Sequence, residues 1–183
     1  MKTERGLIIG LAGKASHGKN YVADVLCDYY PGMRFRKVAF ADPLKQVYSI
    51  ISGETVEDSL EWKNGMSDFG MTRREAFQKI GTDLFRKHYH EDIWIYALFS
   101  ALDFTQNYII TDVRFLNEVN AIQNAGGVVF RVSRPNYESG TPAHESEEAL
   151  NLLNLETIIN PGNGDMAIKA QIYALEEMGK ILY

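Results

Sequence analysis

The chain has 183 residues, 45% hydrophobic and 23% charged, with a formal net charge of -5 and one cysteine. That balance is globular and long enough for one sizeable core, and it argues against a broad non-specific grip on nucleic acid while leaving room for a local anion pocket. Cys27 alone excludes an internal disulfide and fits a reducing cytoplasm; no apolar run approaches the ~18 residues that span a bilayer, and the apolar segment after Met1 is too short for a secretion signal.

The apolar run Leu7 to Ala12, followed by glycines, predicts a buried strand. A helix is expected from near Gly18, with Val22, Val25, Leu26 and Tyr29 at helical spacing until Pro31 and Gly32 stop it. "RKVAFA" reads as a second strand, and Pro43 as the first residue of a helix carrying Leu44, Val47, Ile50 and Ile51. Periodicity fades between Gly53 and Gly70, an excursion from the core, and two helices follow in "TRREAFQKIGTDLFRKHY" and "DIWIYALFSALDF". "NYIITD" is a strand, "VRFLNEVNAIQNA" a helix and "VVFRVS" a strand. Arg134 to His144 forms a loop before the acidic helix "ESEEALNLL", and "ETIIN" and "DMAIKAQIYALEEMGKIL" give a last strand and a closing helix.

Strands alternating with helices predict an α/β fold, a parallel sheet of about five strands covered on both faces, with ligands gathered beyond the carboxyl ends of the strands. Those ends carry Gly13 to Lys19, Asp42, Asp112 with Arg114, Arg134 and Asn160. "GKASHGKN" matches the phosphate-gripping pattern G-x-x-x-x-G-K-[ST] except at Asn20. Its glycines let backbone N–H groups turn inward around phosphate oxygens, the helix N-terminus adds partial positive charge, and Lys19 reaches the outer phosphates. The bland alternative is a glycine-rich turn; Lys14 and His17, within the loop, read as solvated loop residues rather than catalysts. Asp112 can hold Mg²⁺, directly or through water, or cap the helix expected at Val113. Arg73, Arg74, Arg86, Arg131 and Arg134 are cations of the kind that transfer between two anionic substrates needs, or are surface ion pairs taken singly. Arg74, Gln78 and Gly81 keep near-helical spacing. "HYHED" lacks the H-E-x-x-H zinc pattern, and Ser16 lacks a nucleophile-elbow context.

In order along the chain, "GKASHGKNYVAD", "AFADPLK", "TRREAFQKIGTDLFR", "DIWI", "IITDVRFLNEVNAIQNAGGVVFRVSRP", "HESE" and "IIN" resemble the bacteriophage deoxynucleoside monophosphate kinases, P-loop kinases distantly similar to phosphomevalonate kinases. The resemblance implies the P-loop NTPase fold in three α/β/α layers, as one kinase domain over 1–183 with a substrate-binding helical excursion around 53–90 and a lid around 131–147. It implies transfer of the terminal phosphate of ATP to a deoxynucleoside monophosphate, with Mg²⁺, in nucleotide supply for DNA replication. Carried over by position, Gly13, Lys14, Ala15, Ser16, His17, Gly18, Lys19 and Asn20 hold the ATP phosphates, and Lys19 stabilises the migrating group. Asp42, Lys45, Arg74, Gln78 and Arg86 form the acceptor set, and Asp112 and Arg114 stand between the substrates. Arg131 and Arg134 flank the lid, and Asn160 with "PGNG" resembles the loop touching the adenine. Lys19, Asp112, Arg114 and Arg134 are the catalytic candidates, and Asn20 and Asp112 the metal ligands.

Asn20 replaces the hydroxyl of the general P-loop, and Arg73 stands where that family commonly has proline. Another small phosphate ester as acceptor, or a non-catalytic nucleotide-binding module, are the competing readings. The expected partners are small-molecule nucleotides, with neither stable nucleic-acid nor membrane binding. A homodimer is left open, and the compartment is the cytoplasm, the host's for a phage-encoded chain.

Overall fold

The computed structural model describes residues 5–135, 137, 153–162 and 164–181. The expected helix at "ESEEALNLL", most of the expected lid and the "HESE" motif lie outside the described residues. Two compact units are present, one of Met1–Ala39 with Asp103–Tyr183, the other of Phe40–Leu102.

The first unit holds a parallel sheet of β1 (Ile8–Ala12), β2 (Arg36–Val38), β3 (Tyr108–Val113), β4 (Val128–Ser133) and β5 (Thr157–Ile159), in the order β2-β3-β1-β4-β5. Alternate side chains divide its faces. Ile9, Leu11, Ile109, Phe130, Val132 and Ile158 pack with Val22, Val25 and Leu26 of α1 (Lys19–Tyr29) and with Ile168 and Ile172 of the last described helix. On the other face a Cβ at Gly10 would lie 2.7 Å from Ile122 Cδ1 of α6 (Leu116–Asn124), so that helix packs on bare backbone. This is the expected three-layer α/β/α arrangement with five strands. Parallel pairing puts every strand's carboxyl end on one edge, which is where the loops after β1, β4 and β5 meet.

The second unit is helical: α2 (Ala41–Ser52), α3 (Leu60–Asn64), α4 (Arg73–Gln78) and α5 (Ile93–Ala101). The last described helix of the first unit, α7, is Met166–Glu177. Thr72 starts α4 with a capping box: its hydroxyl accepts from the Glu75 N–H at 3.2 Å, and Glu75 Oε2 accepts from the Thr72 N–H at 2.8 Å. Such a cap stabilises a helix by about 1 kcal/mol. Buried Tyr48 anchors an aromatic cluster with Phe77 (4.7 Å between ring centroids), Trp62 and Phe69.

Three element boundaries move from the sequence reading. β2 ends at Val38, and α2 begins at Ala41, so Pro43 sits third in the helix; the first turn has no use for its missing N–H. β3 runs on to Val113, which pairs with Ala12, and α6 starts only at Leu116. The long helix expected over "TRREAFQKIGTDLFRKHY" is α-helical to Gln78 and then a π-helix over Lys79–Arg86. Within that stretch the Gly81 carbonyl accepts from the Trp94 indole N–H at 2.9 Å, and a Cβ on Gly81 would lie 2.7 Å from Leu44 Cδ2.

Candidate active site

The loop between β1 and α1 carries its conformation in three residues. Gly13 (φ 147°) and Gly18 (φ 86°) occupy backbone regions that side chains rarely enter, and Ser16 (φ 62°) is a left-handed non-glycine residue. Gly18 starts α1 without a side-chain cap, and the helix has no acidic residue in its first turn, so its partial positive charge is not offset from within. The Lys19 ammonium donates to the carbonyls of Gly13 (2.7 Å) and Lys14 (2.9 Å), which lays it across the loop mouth. Strand end, positive-φ glycines, helix N-terminus and lysine form a cradle for phosphate oxygens. Lys14, Ser16 and Asn20 are exposed, and Gly13, Ala15, Gly18 and Lys19 half-buried. His17, expected as a solvated loop residue, is instead 8% exposed, with its Nδ1 accepting from the Arg134 backbone N–H at 3.2 Å.

Asp112 is the penultimate residue of β3 rather than the first residue past it, and it does not cap α6. That task belongs to Glu118, 2% exposed, whose carboxylate accepts from the backbone N–H groups of Arg114 (2.7 Å) and Phe115 (3.1 Å). A glutamate in the first turn is the signal that identifies such an anchor. The Arg114 side chain is exposed at the β3 end. Arg131 lies within β4, level with Ala12 and Thr157, and its guanidinium donates to the Leu153 carbonyl at 3.1 Å. Asn160, expected at the adenine, is 3% exposed, donating through Nδ2 to the His17 carbonyl at 3.0 Å and accepting at Oδ1 from the Gly162 N–H at 3.0 Å.

In the second unit, Asp42 lies in the first turn of α2 and its carboxylate is 3.4 Å from the Lys45 ammonium. Lys45 also pairs with Asp58 at 3.2 Å, and Asp58 with Lys63 at 3.0 Å. Burial pulls the Lys45 amine down, but its bonds to Asp58 and Asp42 outweigh that and hold it above its ordinary value. Burial raises the Asp58 carboxyl, and the bonds from Lys63 and Lys45 more than reverse this. Asp58 falls in a stretch without periodicity or motif, and nothing local in the sequence marks it. Arg74 is exposed, with Nε donating to Asn64 Oδ1 at 3.2 Å; Gln78 is exposed and Arg86 half-buried at the end of the π-helix. Arg73 is bound into the unit by its ion pair with Glu54 and by lying 4.8 Å over the Trp62 ring.

A lowered aspartate pKa contributes stability that is present above the ordinary value of 3.8 and lost as pH falls through the folded value. The Asp58 side chain is 73% exposed, so solvent screening limits its pairs. Asp58→Asn is expected to cost about 0.5–1 kcal/mol at pH 7, and the deficit shrinks steadily as pH falls below 3.8 towards the lowered folded value, so that it is smaller at pH ~3 than at pH 7. Thermal unfolding of both proteins at the two pH values checks this; an equal deficit at both would show that the ion pairs are not the cause.

Sheet order and phosphate cradle together define a P-loop kinase fold. The crystal structure of TT1252 from Thermus thermophilus has the same fold at 16% identity, covering 96% of this chain and 99% of that one with a TM-score of 0.51. The deoxynucleotide monophosphate kinase family model matches residues 62–171. A protein of Acanthamoeba polyphaga mimivirus named as a deoxynucleotide monophosphate kinase is 30% identical over 176 residues, 86% of this chain and 89% of that protein. The deoxynucleoside-5'-monophosphate kinase of Escherichia phage T5 is 25% identical over 174 residues, 61% of this chain and 70% of that one. The chain belongs to the deoxynucleotide monophosphate kinase family. Among the described residues no helix is long and apolar enough to cross a membrane.

Proposed function

We propose that this chain transfers the terminal phosphate of ATP to a deoxynucleoside monophosphate, giving the diphosphate and ADP. The carrying observation is the cradle of Gly13, Gly18 and Lys19 at the β1 end, in a chain of this family. The backbone N–H groups of the loop hold the donor phosphates. Lys19 exchanges the Gly13 and Lys14 carbonyls for outer phosphate oxygens, where its charge is worth most as the phosphoryl group moves. Arg114 and Arg134 offset the charge that builds between donor and acceptor. In the second unit Asp42, Lys45, Arg74, Gln78 and Arg86 bind the acceptor. An acceptor phosphate is already ionised, so no strong general base is required.

Asn20, second residue of α1, and Asp112, near the end of β3, offer the oxygen donors that Mg²⁺ takes beside phosphates and water. When bound, that ion neutralises charge on the donor phosphates. Among the described residues no group of three His, Cys, Asp or Glu side chains converges as a metal site of its own. The chain's partners are then small-molecule nucleotides rather than nucleic acid, and its compartment the cytoplasm.

ADP release with dAMP, dGMP, dCMP and dTMP, with ribonucleotides and phosphomevalonate as controls, tests the proposal. Turnover with at least one deoxynucleotide is expected, and none with any of the four would overturn it. Because an amide oxygen, a hydroxyl and a carboxylate can each accept from metal-bound water, Asn20→Ser and Asn20→Asp are expected to retain activity within about tenfold. A loss in both as deep as that of Lys19→Ala would rule out this arrangement of the loop.

A further inference from the structure

The phosphate loop is tied to two other strand ends by side chains that its motif does not require. Nδ1 of His17 accepts from the Arg134 N–H at 3.2 Å, just past β4. The His17 carbonyl accepts from Asn160 Nδ2 at 3.0 Å, just past β5, and the Asn160 backbone N–H donates to the Ser133 carbonyl at 2.8 Å. A closed circuit thus runs from the loop to β4, across to β5 and back. The Arg134 guanidinium completes it. It lies 4.7 Å over the Tyr137 ring, which meets the His17 ring edge-on at 6.4 Å. A Cβ at Gly162 would stand 2.7 Å from Arg134 Nη2, so any side chain there would displace the guanidinium from this position. Both polar ends of the Asn160 carboxamide are engaged with backbone in a site 3% exposed, as a strut rather than a ligand.

We propose that His17 and Asn160 are positioning residues. His17, accepting through Nδ1, fastens the Arg134 backbone to the phosphate loop, so that loop shape and the aim of the arginine are set together. The inference rests on the kinase reading of Lys19 and Arg134 and assigns His17 no proton transfer. An Nδ1 that accepts from an amide places the proton of the neutral ring on Nε2.

Two isosteres separate this role from contact with a substrate, since the asparagine oxygen replaces Nδ1 and the glutamine oxygen replaces Nε2. Expected is that His17→Asn keeps kcat within about threefold, while His17→Gln and His17→Ala lower it about tenfold with little change in KM for the acceptor, as for a transition-state group put out of line. Glutamine serving better than asparagine would overturn the proposal. A second measurement needs no turnover: ¹⁵N–¹H NMR of the unaltered protein, with the His17 ring protonated on Nε2 and slow hydrogen exchange at the Arg134 amide. A proton on Nδ1 in the neutral ring, or a rapidly exchanging Arg134 amide, would overturn the tie. That NMR signature without turnover on any deoxynucleotide would support the tie and overturn the kinase reading alone.

Discussion

Lys19→Ala is expected to lower deoxynucleoside diphosphate formation by about 10³-fold while the chain stays folded. Removing one preorganised donor aimed at developing charge typically costs about 10²–10³ in kcat, and here the donor carries a full charge. The ammonium bonds two carbonyls, at 2.7 and 2.9 Å, so its loss also frees the Gly13 and Lys14 carbonyls. The bond to the Lys14 carbonyl is exposed and that to the Gly13 carbonyl half-buried, so water takes over much of the lysine's part and the stability change is expected to be about 1 kcal/mol. ADP release and thermal unfolding, measured on one preparation, check the two halves. Activity within tenfold of the unaltered protein would remove Lys19 from the transfer step.

Gly13→Ala is expected to damage the fold as well as the activity. Gly13 holds φ 147°, and a Cβ there runs into the Val132 carbonyl oxygen, a backbone atom of β4 that cannot rotate away. Backbone strain of roughly 1–2 kcal/mol and overpacking of roughly 1–3 kcal/mol give a loss of about 3 kcal/mol. For a chain of this size that lowers Tm by about 6–12 °C. Gly18 differs in kind, because a Cβ there meets Asn160 Nδ2, a side-chain atom that can yield at the loss of its bond to the His17 carbonyl. An unchanged Tm for Gly13→Ala would mean that the loop leaves β1 by another path.

The parts of this protein legible in its sequence are those governed by local physics. Short apolar runs beside glycines gave β1 and β4, with β4 matching Val128–Ser133 throughout, and the glycine and lysine spacing marked the cradle. What could not be read depends on neighbours far along the chain. His17 and Arg134 are 117 positions apart, and only the fold makes the histidine a buried acceptor. Asn160 resembles an adenine contact by its place after a late strand, yet its carboxamide is spent on two backbone partners. Asp112 looked like the residue after a strand because nothing in "NYIITDV" announces that Val113 still pairs with Ala12. Glu118 was readable in principle, and the nearer aspartate drew the helix start towards itself.

The π-helix alters what the spacing of the proposed acceptor cations Arg74 and Arg86 means. In an α-helix each residue turns about 100°, so Arg86, twelve residues past Arg74, would point about 120° away. At roughly 4.4 residues per turn an ideal π stretch turns about 82° per residue, and eight residues at that pitch would return Arg86 to within about 25° of Arg74. In an ideal α-helix the same alignment would need one residue fewer. The wide turns therefore absorb a supernumerary residue. Tightening them at constant length would swing the last arginine off the shared azimuth, a sensitivity to pitch that residue identity alone does not reveal.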